Sequence, residues 1–123
     1  MLSKLLKLSK KLRSPTGCPW DRKQRMKDIP PQLIEESEEI AQAIAKKDWE
    51  NLKEEIGDVL VNLSRLMVIA EEKKLFTPKE IIKTAAKKVV DRHTWVFGND
   101  KAKTPEEVLK LWKKNKAKER KKS

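Results

Sequence analysis

The chain has 123 residues, with 30 Lys and Arg against 19 Asp and Glu for a formal charge of +11, and 40% of its residues are charged. That length suits one domain with a thin core, which leaves burial against a second copy open. No apolar run approaches the ~18–20 residues of a membrane span; one cysteine, Cys18, excludes an internal disulfide, and a lone His93 excludes zinc sites built from Cys and His clusters.

The N-terminal MLSKLLKLSKKL interleaves Leu with Lys and has no signal-peptide core, so a cytoplasmic protein is expected. A short amphipathic segment, Leu2 to Leu12, leads into a loop from Arg13 to Asp21, where Gly17 with Pro15 and Pro19 opposes helix. Pro30 and Pro31 block helix upstream, and Pro31 suits a first turn. Leu33, Ile40 and Ile44 then recur at helical spacing and predict a helix from Gln32 to about Lys46. Asp48 is the N-cap expected for a long helix to about Lys74, with Asn51 standing where a Glu or Gln would complete a capping box.

Thr77–Pro78–Lys79–Glu80 and Thr104–Pro105–Glu106–Glu107 repeat one start signal, a Thr N-cap, Pro at the first helical position and Glu at the third. They predict helices of about 78–91 and 105–118. Strand signals are nearly absent, since Trp95–Val96–Phe97 is too short to build a sheet. From Lys110 onward there are eight bases and one acid, and the tail from about 117 to 123 is expected to fray. The expectation is a single all-α domain over 1–123, with core helices at about 32–46, 48–74 and 78–91.

A net charge of +11 ordinarily points to nucleic acid or another polyanion. Its distribution points elsewhere. Residues 32–58 hold nine acids against three bases, a local net of −6. At about 100° per residue, Glu36, Glu39 and Ala43 form a strip to one side of the Leu33–Ile40–Ile44 seam. On the long helix, Leu52, Ile56, Val59, Leu63 and Met67 define a seam, and Glu55, Asp58 and Asn62 lie to the same relative side. If the seams pack together, Glu36, Glu39, Glu55 and Asp58 border one groove. A Glu-rich helix face is ordinarily solvated and paired with Lys four residues on, but none of these four has a base at that position. Crowded carboxylates repel, and a bound cation relieves them. Oxygen-only ligands favour Mg²⁺ or Mn²⁺ over zinc or copper. Val61, Val68 and Ile69 lie off the main seam, so the long helix needs a second partner, either a terminal helix or, preferably, a second copy.

Four segments in order resemble the MazG family of nucleoside triphosphate pyrophosphohydrolases over about Leu12 to Lys116. They are Gly17–Cys18–Pro19–Trp20–Asp21–Arg22–Lys23–Gln24, then Glu35–Glu36–Ser37–Glu38–Glu39, then Glu55–Ile56–Gly57–Asp58, then Arg92–His93 with Val96–Phe97–Gly98. The resemblance implies a bundle of the all-α NTP pyrophosphatase type, a homodimer or higher homo-oligomer. Its activity would be Mg²⁺-dependent hydrolysis between the α and β phosphates to NMP and pyrophosphate, with clearance of non-standard nucleotides as one role. By motif position Glu36, Glu39, Glu55 and Asp58 match metal ligands. Glu35 matches the remaining motif glutamate, a candidate for orienting or deprotonating the attacking water, although it points roughly 100° from Glu36. Lys88, Arg92 and Lys116 match positions that contact the triphosphate, Trp112 one that helps close the pocket, and Lys53 stands ready to assist.

The chain departs from the family pattern at Arg25–Met26, where Thr–His is usual, and at Thr94–Trp95, where a second His is missing. His93 is therefore expected to be a structural hydrogen-bonder. Trp20 is either a core anchor for its loop or a wall against the base, and the large area a Trp buries favours the anchor. The alternative function is a basic helical nucleic-acid-binding module without catalysis. It predicts steeply salt-dependent binding through the C-terminal helix, whereas the acidic island favours the hydrolase, with nucleic-acid binding at most weak and nonspecific.

Overall fold

The computed structural model describes residues 2–122. Among them the chain forms seven α-helices and no strand, as expected of an all-α protein: α1 Leu2–Leu12, α2 Pro19–Lys23, α3 Ile29–Lys46, α4 Trp49–Glu72, α5 Pro78–Arg92, α6 Thr94–Phe97 and α7 Pro105–Lys122, with a 3-10 turn at Met26–Asp28. It divides into two compact units, Met1–Pro78 and Lys79–Ser123. No helix among the described residues is long and apolar enough to cross a membrane.

In the first unit, α3 and α1 both pack on α4, and Ile29, Ala43, Val68, Ile69 and Ala70 form the buried apolar core. The off-seam residues Val68 and Ile69 thus find cover inside the chain. They lie near the end of α4 that α1 reaches, where Lys10 pairs with Glu71 at 2.9 Å and Arg13 with Glu72 at 2.8 Å. Arg13 also donates to the carbonyls of Asp21 and Gln24 and so straps the following loop. That loop is tighter than an open coil. A Cβ at Gly17 would stand 2.2 Å from the Lys11 carbonyl oxygen, so only glycine fits. The loop is also shorter than predicted, because Pro19 opens α2 at a position where its missing N–H costs nothing.

α3 starts three residues earlier than predicted. Both prolines fall inside its first turn, where no intrahelical donor is needed. α4 begins at its expected cap, with the Asp48 carboxylate accepting from the Asn51 N–H at 3.2 Å. Both helices then end in the same way without glycine. Lys47 (φ 56°) and Lys74 (φ 59°) take the left-handed conformation, while Asp48 N–H reaches Ala43 O at 2.9 Å and Leu75 N–H reaches Ala70 O at 3.1 Å. This is the Schellman closure, strong enough to override the modest cost of a left-handed Lys.

The predicted seam-to-seam packing of α3 and α4 is corrected. Ile44 is 53% exposed and Ile56 47% exposed, whereas Ala43, Glu55 and Asn62 are buried. The helices are rotated so that Ala43, Glu55 and Asn62 face inward, while Glu36 and Glu39 are half-buried and Asp58 stays exposed. Ala43 admits close approach there, and the bulkier isoleucines are left outside.

In the second unit, α7 opens on its predicted signal. Thr104 Oγ1 accepts from Glu107 N–H at 3.2 Å, and the Glu107 carboxylate accepts from Lys103 N–H at 2.8 Å. α7 continues through the basic tail to Lys122, and Ser123 lies outside the described residues. The buried Asn115 joins α7 to the α5–α6 corner by donating to Arg92 O at 3.2 Å and Thr94 Oγ1 at 2.9 Å.

Candidate metal centre

The inward rotation of α3 and α4 decides the site. Glu36 and Glu39 project from successive turns of α3, and Glu55 comes from α4. One carboxylate oxygen from each lies within 4.8 Å of the others. Among the described residues, no Lys or Arg pairs with any of the three. Glu36 Oε2 and Glu55 Oε2 are buried and accept no hydrogen bond. A buried carboxylate oxygen without a donor is costly, and like charges this close repel. Two of the carboxyls answer by binding protons more tightly. Glu39 is shifted above its ordinary value, first by sharing a hydrogen bond with Glu55 and then by burial. Glu55 is shifted up as well, first by its contact with Glu36. A divalent cation would satisfy the same oxygens, and an all-carboxylate donor set fits Mg²⁺ or Mn²⁺.

Asp58 and Glu35 lie beside this cluster. With Gln32, Glu36, Val61, Asn62 and Arg65 they line a cavity of ≈ 220 Å³. Glu36 therefore belongs both to the carboxylate triad and to the cavity wall. Arg65 donates to Asn62 Oδ1 at 3.0 Å and pairs with Asp21 at 3.2 Å.

Lys53 is exposed on the first unit and pairs with Glu50 at 3.0 Å. The remaining predicted cations belong to the second unit. Lys88 lines a cavity of ≈ 660 Å³ with residues of α5, α6 and α7. Arg92, Trp112 and Lys116 form a separate stack. The Arg92 guanidinium carbon lies 5.4 Å and Lys116 Nζ 4.9 Å from the Trp112 ring centroid.

A sequence profile of the MazG nucleotide pyrophosphohydrolase domain matches residues 24–97, which include Glu35, Glu36, Glu39, Glu55 and Asp58. The chain belongs to the MazG family. It is 40% identical over 120 residues to the nucleoside triphosphate pyrophosphohydrolase/pyrophosphatase MazG of Thermotoga maritima, covering 98% of this chain and 46% of that protein. It is 35% identical over 120 residues to the nucleoside triphosphate pyrophosphohydrolase of Escherichia coli K12, again covering 46% of the relative. The chain thus spans about half the length of these curated relatives. A crystal structure of a mazG-related protein from Thermotoga maritima superposes with a TM-score of 0.78 at 31% identity, covering 94% of this chain and 98% of that one.

The MazG motifs acquire physical roles on this fold. In the GCPWD segment, Asp21 is buried against Arg65. Trp20 is 51% exposed with the Arg65 guanidinium 5.2 Å from its ring centroid, so it is a platform for Arg65 and not the core anchor expected. At the altered Arg25–Met26 position, the Asp28 carboxylate accepts from Arg25 N–H at 2.9 Å and from its Nε at 3.4 Å, which closes the 3-10 turn. His93 Nδ1 lies 2.6 Å from Val89 O, in keeping with a structural hydrogen bond. Sequence reasoning missed Arg65 and Glu119, whose partners Asp21 and Arg92 are 44 and 27 residues away in the chain. Arg65 did carry one signal, for it follows Asp58 and Asn62 on the same strip of α4 at spacings of four and three.

Proposed function

We propose that this chain is a divalent-metal-dependent nucleoside triphosphate pyrophosphohydrolase that cleaves between the α and β phosphates to give NMP and pyrophosphate. The observation that carries the reading is the pair of buried, unpartnered oxygens on Glu36 of α3 and Glu55 of α4, clustered with the Glu39 carboxylate of α3. Glu36, Glu39 and Glu55, with Asp58 beside them, would hold Mg²⁺ or Mn²⁺. When bound, the ion neutralises phosphoryl charge and acidifies a water molecule. Glu35 lines the same cavity as Glu36 and Asp58, which suits a carboxylate that orients the attacking water and accepts its proton. Lys88, Arg92 and Lys116, with Lys53 assisting, meet the triphosphate charge. Arg92 suits a charge-assisted phosphate contact, and Trp112 gives its cations an aromatic face.

Incubation with a panel of NTPs and Mg²⁺, with products followed by phosphorus NMR, should yield pyrophosphate and NMP. Orthophosphate alone, or unchanged rates in Glu39→Ala and Asp58→Ala, would sink the reading.

The partner reading is a homodimer or higher homo-oligomer. Trp49, Ile56 and Leu60 are 59%, 47% and 41% exposed and fall within about 40° of one direction on α4. A long helix with such a stripe is suited to self-pairing across a symmetry axis. Sedimentation should report a species larger than one chain, and Ile56→Glu should shift it toward the monomer.

A further inference from the structure

At the C-terminal end of α5, Arg92 is gripped by one stripe of α7. Its Nε donates to Glu119 Oε1 and Oε2 at 3.3 and 3.2 Å, and Nη2 donates to Oε2 at 3.0 Å. The guanidinium rests over Trp112, and the Arg92 carbonyl accepts from the buried Asn115. Trp112, Asn115, Lys116 and Glu119 are spaced i, i+3, i+4 and i+7, which places them on one helix face. Both charged side chains are partly shielded, with Arg92 19% and Glu119 26% exposed. Among the described residues Nη1 of Arg92 takes no hydrogen-bond partner. The Nε–Nη2 edge is thus occupied, one face of the guanidinium plane lies against Trp112, and Nη1 is left without a partner among the described residues.

We propose that Glu119 is a positioning residue for triphosphate binding: its carboxylate holds Arg92 on the Trp112 face so that the Nη1 edge is preset for a phosphate oxygen. This rests on the reading that Arg92 meets the triphosphate. An unheld arginine must surrender its rotamer freedom when the ligand arrives, whereas one ordered beforehand does not. Glu119 also brings negative charge near the phosphates, which opposes binding. That charge is engaged in three hydrogen bonds to Arg92 and faces the occupied edge, so the ordering effect dominates.

The test measures KM and kcat with the fastest NTP of the panel, together with calorimetric binding of its α,β-methylene analogue in Mg²⁺. Glu119→Ala should weaken analogue binding and raise KM about three- to tenfold, with kcat within about twofold of the parent. Glu119→Gln, which keeps an acceptor oxygen, should fall between. Arg92→Ala should raise KM further, and adding Glu119→Ala to it should change nothing more. Unchanged or tighter binding in Glu119→Ala, beside a weakened Arg92→Ala, overturns the positioning role and leaves the triphosphate reading intact. An equal effect of Glu119→Ala with and without Arg92 overturns it too. Parent-like binding in Arg92→Ala, or no analogue binding by the parent chain, overturns both. Binding without pyrophosphate release overturns the hydrolase reading alone, and the Kd series still decides the role of Glu119. If Glu119→Ala fails to fold by circular dichroism, Glu119→Gln carries the same comparison.

Discussion

Glu72, Asp21 and Glu119 each meet a guanidinium, at 2.8, 3.2 and 3.0 Å, whereas Glu36, Glu39 and Glu55 meet one another. The two regions draw on the same residue types and the same helical scaffold. Where a carboxylate must only fasten a loop or a helix end, the fold supplies an arginine within reach. In the α3–α4 groove it supplies a third carboxylate instead. Such an arrangement is unfavourable in isolation and favourable once a cation enters. The groove therefore stores a demand for charge that Glu72, Asp21 and Glu119 have already met.

The sharpest way to break this comparison is Glu55→Gln. In the groove it should lower kcat/KM at least about a hundredfold, while the metal-free protein gains thermal stability because repulsion is relieved. A fall in the melting temperature of the metal-free variant would mean that Glu55 is satisfied inside the fold after all. Arg13→Ala, on the paired side, should behave oppositely. It should cost about 1–3 kcal/mol in denaturant unfolding, since Glu72 and two loop carbonyls lose their donor, with no direct loss of metal binding.

The pH dependence separates the two regions by sign. Glu39 and Glu55 titrate above their ordinary value of 4.5, so the folded metal-free chain binds more protons there than the unfolded chain. Their contribution is fully present below that value and is lost as pH rises through the raised folded values. Asp28 is shifted below its ordinary 3.8, first by the hydrogen bond from Arg25 N–H. Its contribution is present above that value and is lost as pH falls through the lowered one. Melting temperatures in EDTA, compared between the parent, Glu55→Gln and Asp28→Asn, check both signs. Added Mg²⁺ should flatten the groove's dependence. The smallest effect belongs to the exposed Lys87–Asp91 pair on α5: Asp91→Asn should move the melting temperature by no more than about 2 °C.

Helix-start chemistry was legible without coordinates. Asp48 and Thr104 cap the helices that they were expected to cap, because a capping bond spans only three residues. α3 starts earlier than its sequence announces because two adjacent prolines mark a helix boundary equally well from just outside it or from its first turn. The ends at Lys47 and Lys74 had no glycine to mark them. The Glu36–Glu39 pair follows from helical spacing on one helix, but its meeting with Glu55 depended on how two helices rotate against each other.

By itself, the sequence determined the all-α class, the carboxylates available for a cation and the motifs that mark the MazG family, because each follows from local periodicity or residue order. Only the tertiary structure decided that Ala43, Glu55 and Asn62 turn inward while Ile44 and Ile56 turn outward. It also decided that Asp21 meets Arg65, and Glu119 meets Arg92. The physical reason is the same in each case. An apolar stripe says that a helix face must be covered, but not by which neighbour, and a buried charge says that a partner is needed, but not where in the chain it lies.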